Sequence, residues 1–206
     1  MSARVTVVDL GLGNLGSVLQ ALARAGGDAR LSADAAEIAR APRVVLPGVA
    51  AFGLGMERAQ GLGLRAALDA ALARGTPILG ICLGMQILFE QGEEDGLQPG
   101  LGLLPGCVTR IPAGVQIPHI GWQRLQRTSP SPLLADGEAP WAYFANSYRC
   151  EAPADVTQAV ADHSGVRIAA VVGRGSVHGV QFHPEKSARG GEQILARFLR
   201  LPEAAQ

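Results

Sequence analysis

The run "PILGICLGMQ", residues 77–86, holds one cysteine between two glycines where an apolar stretch passes into helix-like sequence. Gly80-Ile81-Cys82-Leu83-Gly84 has the strand–turn–helix layout of a nucleophile elbow, with cysteine in the serine position. In that layout the glycines leave room for a sharp turn that pushes the sulfur outward. Cys82 then precedes a helix whose N-terminal dipole favours thiolate over thiol. The N–H of Leu83 is left to donate to a developing oxyanion. A small buried cysteine at a strand-to-helix turn would read the same way from this segment alone. A nucleophile also needs a base, and no histidine is close in sequence.

A base lies about a hundred residues on, in "VHGVQFHPEKS" (177–187). His183 and Glu185 bracket Pro184, and in extended backbone positions i and i+2 point to one face. The Glu185 carboxylate then reaches the imidazole, fixes its tautomer and stabilises the imidazolium. On its own this H-P-E reads as a surface turn; with an elbow cysteine it completes nucleophile, base and orienter. Such a set performs acyl transfer, with the acyl group left open. The other histidines (His119 in "IPHIGW", His163 in a turn-like "ADHSG", His178 one register away) show no metal-ligand spacing with a carboxylate, so no metal is expected. Cys82, Cys107 and Cys150 are odd in number and lack a C-x-x-C pair, which argues against a disulfide framework or structural zinc.

The elements that must position these groups alternate in the first half. "VTVVDL" (5–10), "RVVLPG" (43–48) and "TPILGI" (76–81) read as buried strands. Between them, Val18, Leu19, Leu22 and Ala25 recur at helical spacing up to Gly26-Gly27, residues 56–74 form one helix closed by Gly75, and "MQILFEQ" forms a short helix. Strand–helix alternation with near-continuous apolar strands indicates a parallel sheet covered by helices. In the second half "GCVTRI", "WAYFANSY", "TQAVADH", "IAAVVGR" and "VHGVQFH" are short strands separated by turn residues. Residues 126–140 read as a surface loop, and a last helix near 190–200 carries Ile194, Leu195, Phe198 and Leu199. The expected fold is α/β: one domain over 1–206, an open, mostly parallel sheet flanked by helices, with an antiparallel extension in the second half.

"GLGNLG" (11–16) matches a dinucleotide fingerprint, with Asp34 at about the expected 20-residue distance. Asp34 sits in "SADAAEIAR", which looks like the start of a short helix, so a tight turn with glycines at positive φ is the competing reading. No cofactor is expected. "RVVLPGVAAFGLGM" (43–56) ends a strand where α/β sheets bind ligands, and Gly48-Val49 could give a second oxyanion hydrogen bond. Of 206 residues 48% are apolar and 17% charged, with 18 basic side chains balancing 18 acidic ones, so nucleic acid and charged membrane surfaces are not expected partners. No signal peptide and no apolar run near the roughly 18 residues of a membrane span is read. A cytoplasmic location is the expectation.

"GICLGMQ" and "GVQFHPE" resemble the class I glutamine amidotransferases. More narrowly, "GLGNLGSV", "LPGVAAFGLGM", "EQGEEDGLQPGLGLLPG", "IPHIGW", "YFANSY" and "HPEKS", in this order over nearly the whole chain, are similar to the glutaminase subunit of imidazole glycerol phosphate synthase. The resemblance implies a heterodimer with a barrel-shaped cyclase and L-glutamine as substrate. It implies that Cys82 attacks the carboxamide, that His183 serves the departing ammonia and the hydrolytic water, and that Glu185 orients His183. The oxyanion would rest on Leu83 and Gly48-Val49, and glutamine on Gln86, Glu94, Ser147 and Tyr148. Asn14 and Lys186 would face the cyclase, and "GLGNLG" would be a loop near that interface. Service to another synthase, or a non-catalytic docking role, are the alternatives. The chain departs from the family pattern at Ala50 (usually glycine), Asn146 (histidine in many relatives) and Gln123 (usually asparagine). A flip of the Ala50 peptide to positive φ would cost roughly 1 kcal/mol more than with glycine.

Overall fold

A computed structural model of the chain describes residues 2–203. In chain order the elements are β1 (Ala3–Val8), α1 (Leu15–Arg24), β2 (Gly27–Ser32), α2 (Ala35–Arg40), β3 (Val44–Gly48), α3 (Phe52–Gly61), α4 (Leu64–Ala73), β4 (Ile78–Cys82) and α5 (Leu83–Ile87). There follow β5 (Phe89–Gly92), β6 (Gln98–Pro99), β7 (Leu104–Arg110), β8 (His119–Arg124), β9 (Gln126–Arg127), β10 (Trp141–Asn146) and β11 (Tyr148–Glu151). The chain closes with β12 (Thr157–His163), β13 (Val166–Arg174), β14 (Val177–Val180), a 3₁₀ turn (Pro184–Lys186) and α6 (Ala188–Leu199).

Eight strands form the main sheet in the order β2-β1-β3-β4-β14-β13-β12-β9. The first five run parallel and the rest antiparallel, which is the mostly parallel sheet with an antiparallel extension that the apolar pattern predicts. Central strands carry apolar residues on both faces because both are covered. Val44 and Leu46 of β3 enter one core cluster, with α3 and α4; Val45 enters the other, with α1 and α6. A second sheet, β11-β7-β5-β6, and a separate β8–β10 pair complete the strand inventory.

Several local expectations need correction. The predicted helix over 56–74 is two helices, because Gly63 adopts a left-handed conformation (φ 68°) between α3 and α4. "MQILFEQ" is not one helix: α5 already starts at Leu83 and stops at Ile87, and Phe89–Gly92 is drawn into β5 by parallel pairing with β7. "WAYFANSY" is two strands in different sheets, broken at Ser147. "VHGVQFH" leaves the sheet after Val180. The 126–140 segment is no free loop, since Gln126–Arg127 pairs with β12 and Leu133 and Leu134 are buried. β2 has no sequence signal because it is a polar edge strand paired only with β1.

The turn after β4 depends on two glycines. A Cβ on Gly80 would meet the Gly84 carbonyl oxygen at 2.7 Å, and a Cβ on Gly84 would overlap the carbonyl oxygen of Leu46 in β3. Gly84→Ala is therefore expected to lower stability by at least the roughly 1–3 kcal/mol typical of overpacking. Gly61→Ala, in the last turn of α3 where an added methyl meets nothing, should raise it by about 0.5–1 kcal/mol. Denaturant midpoints of the two variants check both signs.

Candidate active site

Three central strands bring the reactive groups together. Gly48, the last residue of β3, stands in register with Cys82, the last residue of β4, and Val180 of β14 stands opposite Ile81. The chain beyond each strand therefore meets at one end of the sheet, where open α/β sheets bind ligands. Cys82 has φ 54° and ψ −110°, a conformation that costs a non-glycine residue about 1–3 kcal/mol and turns the chain directly from β4 into α5. Leu83 opens that helix, so its N–H has no partner within it.

His183 reaches Cys82 from β14. Its Nδ1 and the Glu185 Oε1 are 2.8 Å apart, which leaves Nε2 as the ring nitrogen available to Cys82. The expected route through extended backbone is corrected: Pro184–Lys186 forms a 3₁₀ turn with His183 as its cap, and Glu185 folds back onto the ring. Proline suits the first position of such a turn, where its missing N–H is not needed. The turn is latched to β10. His183 N–H donates to the Tyr143 carbonyl (2.9 Å), Ser187 Oγ donates to the His183 carbonyl (2.6 Å), and Tyr143 N–H donates to Ser187 Oγ (2.9 Å).

Burial, the largest single influence on the His183 ring, would lower its pKa. The hydrogen bonds and charges of Cys82 and Glu185 together outweigh it and raise the value to about 9. A positive imidazolium beside a sulfur favours a thiolate nucleophile. His119 and His178 go the other way, to about 4, through burial, with His163 adding to the effect at His119. His163 corrects its turn-like reading: it ends β12, is buried, and stacks on His119 (4.1 Å) while its Nε2 sits 2.7 Å from the Gln116 carbonyl.

A cleft of about 180 Å³ opens beside Cys82 and is lined by Gln86, Glu94, Ser147 and Tyr148, together with Val49 and Ala50. Glu94 Oε2 accepts from the Phe52 N–H (2.7 Å) at the start of α3, so one oxygen is a helix cap. Gln86 Nε2 donates to the Tyr148 carbonyl (3.3 Å). The Ser147 carbonyl is taken by the Ile111 N–H. Asn146 Nδ2 also donates to the Tyr148 carbonyl, at 3.0 Å. Neither Val49 nor Ala50 has positive φ.

"GLGNLG" is a turn: Gly11 and Gly13 have positive φ, and Asp34 caps α2 by accepting from the Ala36 and Glu37 N–H groups. A Cβ on Gly13 would lie 3.2 Å from the Val49 nitrogen, so this loop buttresses the Gly48-Val49 segment. Asn14 caps α1 through the Ser17 N–H and lines a small gap with His183 and Glu185. The Lys186 ammonium lies 5.9 Å from the centre of the Tyr143 ring. Sequence reasoning missed Gln181, which is buried with its Nε2 3.9 Å from Cys82 Sγ. Its signal is positional: it is the next residue after Val180, which pairs with Ile81.

The class I glutamine amidotransferase family model matches residues 6–201. The chain is 47% identical over 201 residues to the imidazole glycerol phosphate synthase subunit HisH of Symbiobacterium thermophilum, covering 97% of this chain and 94% of that one. It is 47% identical over 194 residues to the subunit HisH of Streptococcus sanguinis, covering 93% of each. Among solved structures, PurLQS from Thermotoga maritima superposes with a TM-score of 0.75 at 24% identity, over 97% of this chain and 98% of the other. A glutamine amidotransferase crystal structure does so at 0.72 and 21%, over 93% and 98%. These two likenesses concern the fold.

Two pH limbs follow from the histidines. His183 titrates higher folded than unfolded, so its contribution is full below about 6.5 and is lost as pH rises through about 9. His119 and His178 titrate lower folded, so stability falls as pH drops from about 6.5 through about 4. Glu185→Gln should lower the His183 pKa, read by NMR of the imidazole, and shrink the alkaline limb. His119 stacks on Phe144 (4.7 Å), and neither of its ring nitrogens has a hydrogen-bond partner among the described residues. His119→Phe should therefore shrink the acid limb in chemical denaturation without loss of stability at neutral pH.

Proposed function

Since the chain belongs to the class I glutamine amidotransferases, among the HisH subunits of imidazole glycerol phosphate synthase, we propose that it hydrolyses L-glutamine and hands the ammonia to a cyclase subunit of that synthase. The observation that carries this reading is the hydrogen-bonded His183–Glu185 pair, its imidazole raised in pKa partly by Cys82, with Cys82 at the end of a central strand beside a cleft of amino-acid size. Cys82 Sγ adds to the glutamine carboxamide carbon, and the C=O electrons move onto oxygen. The Leu83 N–H and the Gly48-Val49 segment receive that oxyanion. His183 Nε2 gives its proton to the leaving nitrogen, the C–N bond breaks, and ammonia departs from a glutamyl thioester. His183 then takes a proton from water, hydroxide adds to the same carbon, and glutamate leaves as sulfur recovers the electron pair. Glu185 holds the ring in position throughout.

Gln86, Glu94, Ser147 and Tyr148 bind the amino-acid end of glutamine in this reading. The cyclase, a barrel, docks over the mouth of the cleft, where Asn14 and Lys186 meet it. Support comes from the outer face of the β8–β10 pair, which presents Ile120, Trp122 and Trp141, 63%, 46% and 57% exposed, next to the Lys186–Tyr143 contact. Solvated aromatic side chains at this density suit a protein partner. The cyclase joins the ammonia to a ribulosyl ribonucleotide, giving imidazole glycerol phosphate and an aminoimidazole carboxamide ribotide. A cytoplasmic site of action belongs to the same reading. No helix among the described residues is long and apolar enough to cross a membrane.

Glutamate release should be feeble for the chain alone and rise strongly with a cyclase subunit loaded with its ribonucleotide ligand. It should fall roughly a thousandfold or more in Cys82→Ser under the same conditions. Release that needs Cys82 but ignores the cyclase would keep the amidotransferase and discard the pathway. No Cys82-dependent release under any condition would point to a docking subunit.

A further inference from the structure

We infer that Gln181 is a positioning residue for the nucleophile: its side-chain amide is held in one direction by the wall of the glutamine cleft and aims an N–H at the Cys82 sulfur. This rests on the reading of Cys82 as the nucleophile. Gln181 is fully buried. Its Nε2 lies 3.9 Å from Cys82 Sγ, while its Oε1 accepts from Gln86 Nε2 at 3.1 Å and lies 3.9 Å from Cys150 Sγ.

The direction of this amide follows from an acceptor that cannot donate. Gln86 Nε2 also donates to the Tyr148 main-chain carbonyl, so the amino group of Gln86 must face that side. With an amino group presented to it, Gln181 must offer its carbonyl oxygen to Gln86. Its own amino group then points the other way, at the sulfur. Turning the Gln181 amide over would set two amino groups against each other and a carbonyl oxygen against the sulfur, inside a buried site where neither finds a new partner. Burial raises the Cys150 thiol well above its ordinary range, so it keeps its proton and adds a second donor to the same oxygen.

At 3.9 Å the N–H to sulfur contact is long, and its effect is that of an oriented dipole. Such a dipole needs no rearrangement when charge collects on sulfur, before attack and again when the thioester breaks. The chain Tyr148 carbonyl, Gln86, Gln181, Cys82 also ties the cleft wall to the nucleophile. His183 and Gln181 thus approach Cys82 from one segment, two residues apart.

The test is the pH profile of iodoacetamide alkylation at Cys82, followed by mass spectrometry of its peptide, in the full chain. Gln181→Met, near the same shape but without an N–H, should move the midpoint to higher pH and slow alkylation severalfold below it, leaving the high-pH rate unchanged. Gln181→Glu should move it further, about tenfold in rate on the acid side. Gln86→Glu leaves position 181 intact but offers it only an acceptor. Gln181 then turns its amino group away from the sulfur, and the same upward move is expected, which keeps the test alive if Gln181→Met folds poorly. Profiles that superpose on wild type in Gln181→Glu and Gln86→Glu overturn the inference. The readout uses no glutamine. A wild-type chain that alkylates normally yet releases no glutamate in the loaded cyclase mixture would therefore sink the glutaminase reading alone.

Discussion

Helix α5 lies with its backbone against the backbone of β3, and the rest of the site depends on that approach. No side chain fits between Gly84 and the Leu46 carbonyl, or between Gly80 and the first turn of α5. The strand therefore passes into helix with no linking loop, and the residue at the junction has to take φ 54°. That residue is Cys82. The strain is carried by a core in which β3 and β4 are buried throughout.

Once the elbow is set, the electrostatics follow from how the base arrives. His183 is buried, and burial alone would keep it neutral, as it keeps His119 and His178. The difference is company: the Glu185 carboxylate sits on one ring nitrogen of His183 and Cys82 also favours its charged form, and His178 has neither influence. The 3₁₀ turn makes this arrangement local, since Glu185 is two residues away and Ser187 ties the turn to β10. A buried ion pair is thus obtained within five consecutive residues, His183–Ser187.

The legible parts of the sequence were those in which one residue type has few other uses. Apolar strands, the glycines about Cys82 and the H-P-E turn pointed to the fold class and to the three residues the fold brings to one end of the sheet, Cys82, His183 and Glu185. The cleft residues Gln86, Glu94, Ser147 and Tyr148 came from family resemblance, because nothing local marks them; they lie on α5, in the β5–β6 connection and at the β10–β11 junction and meet only in the folded chain. β2 was invisible because edge strands need no apolar pattern. The break at Gly63 was hidden inside a segment of good helix formers, and β5 was hidden because its state is decided by its partner β7. Gln181 was passed over for a similar reason. Its importance lies in register with another strand, which a single segment does not carry.

The order of strands in the main sheet has a consequence for how this protein is made. β14 sits between β4 and β13, yet it lies about a hundred residues beyond β4 in the chain. A ribosome-bound chain that has emerged through α5 can assemble β2-β1-β3-β4, with β4 as an open edge and Cys82 at its tip. Until residues 177–185 are synthesised, the cysteine has neither imidazole nor carboxylate beside it. The nascent chain thus lacks this base and its carboxylate, and its unpaired edge is a hazard that the last part of translation removes. The strand that completes the sheet is the one whose continuation carries His183 and Glu185 to the end of β4.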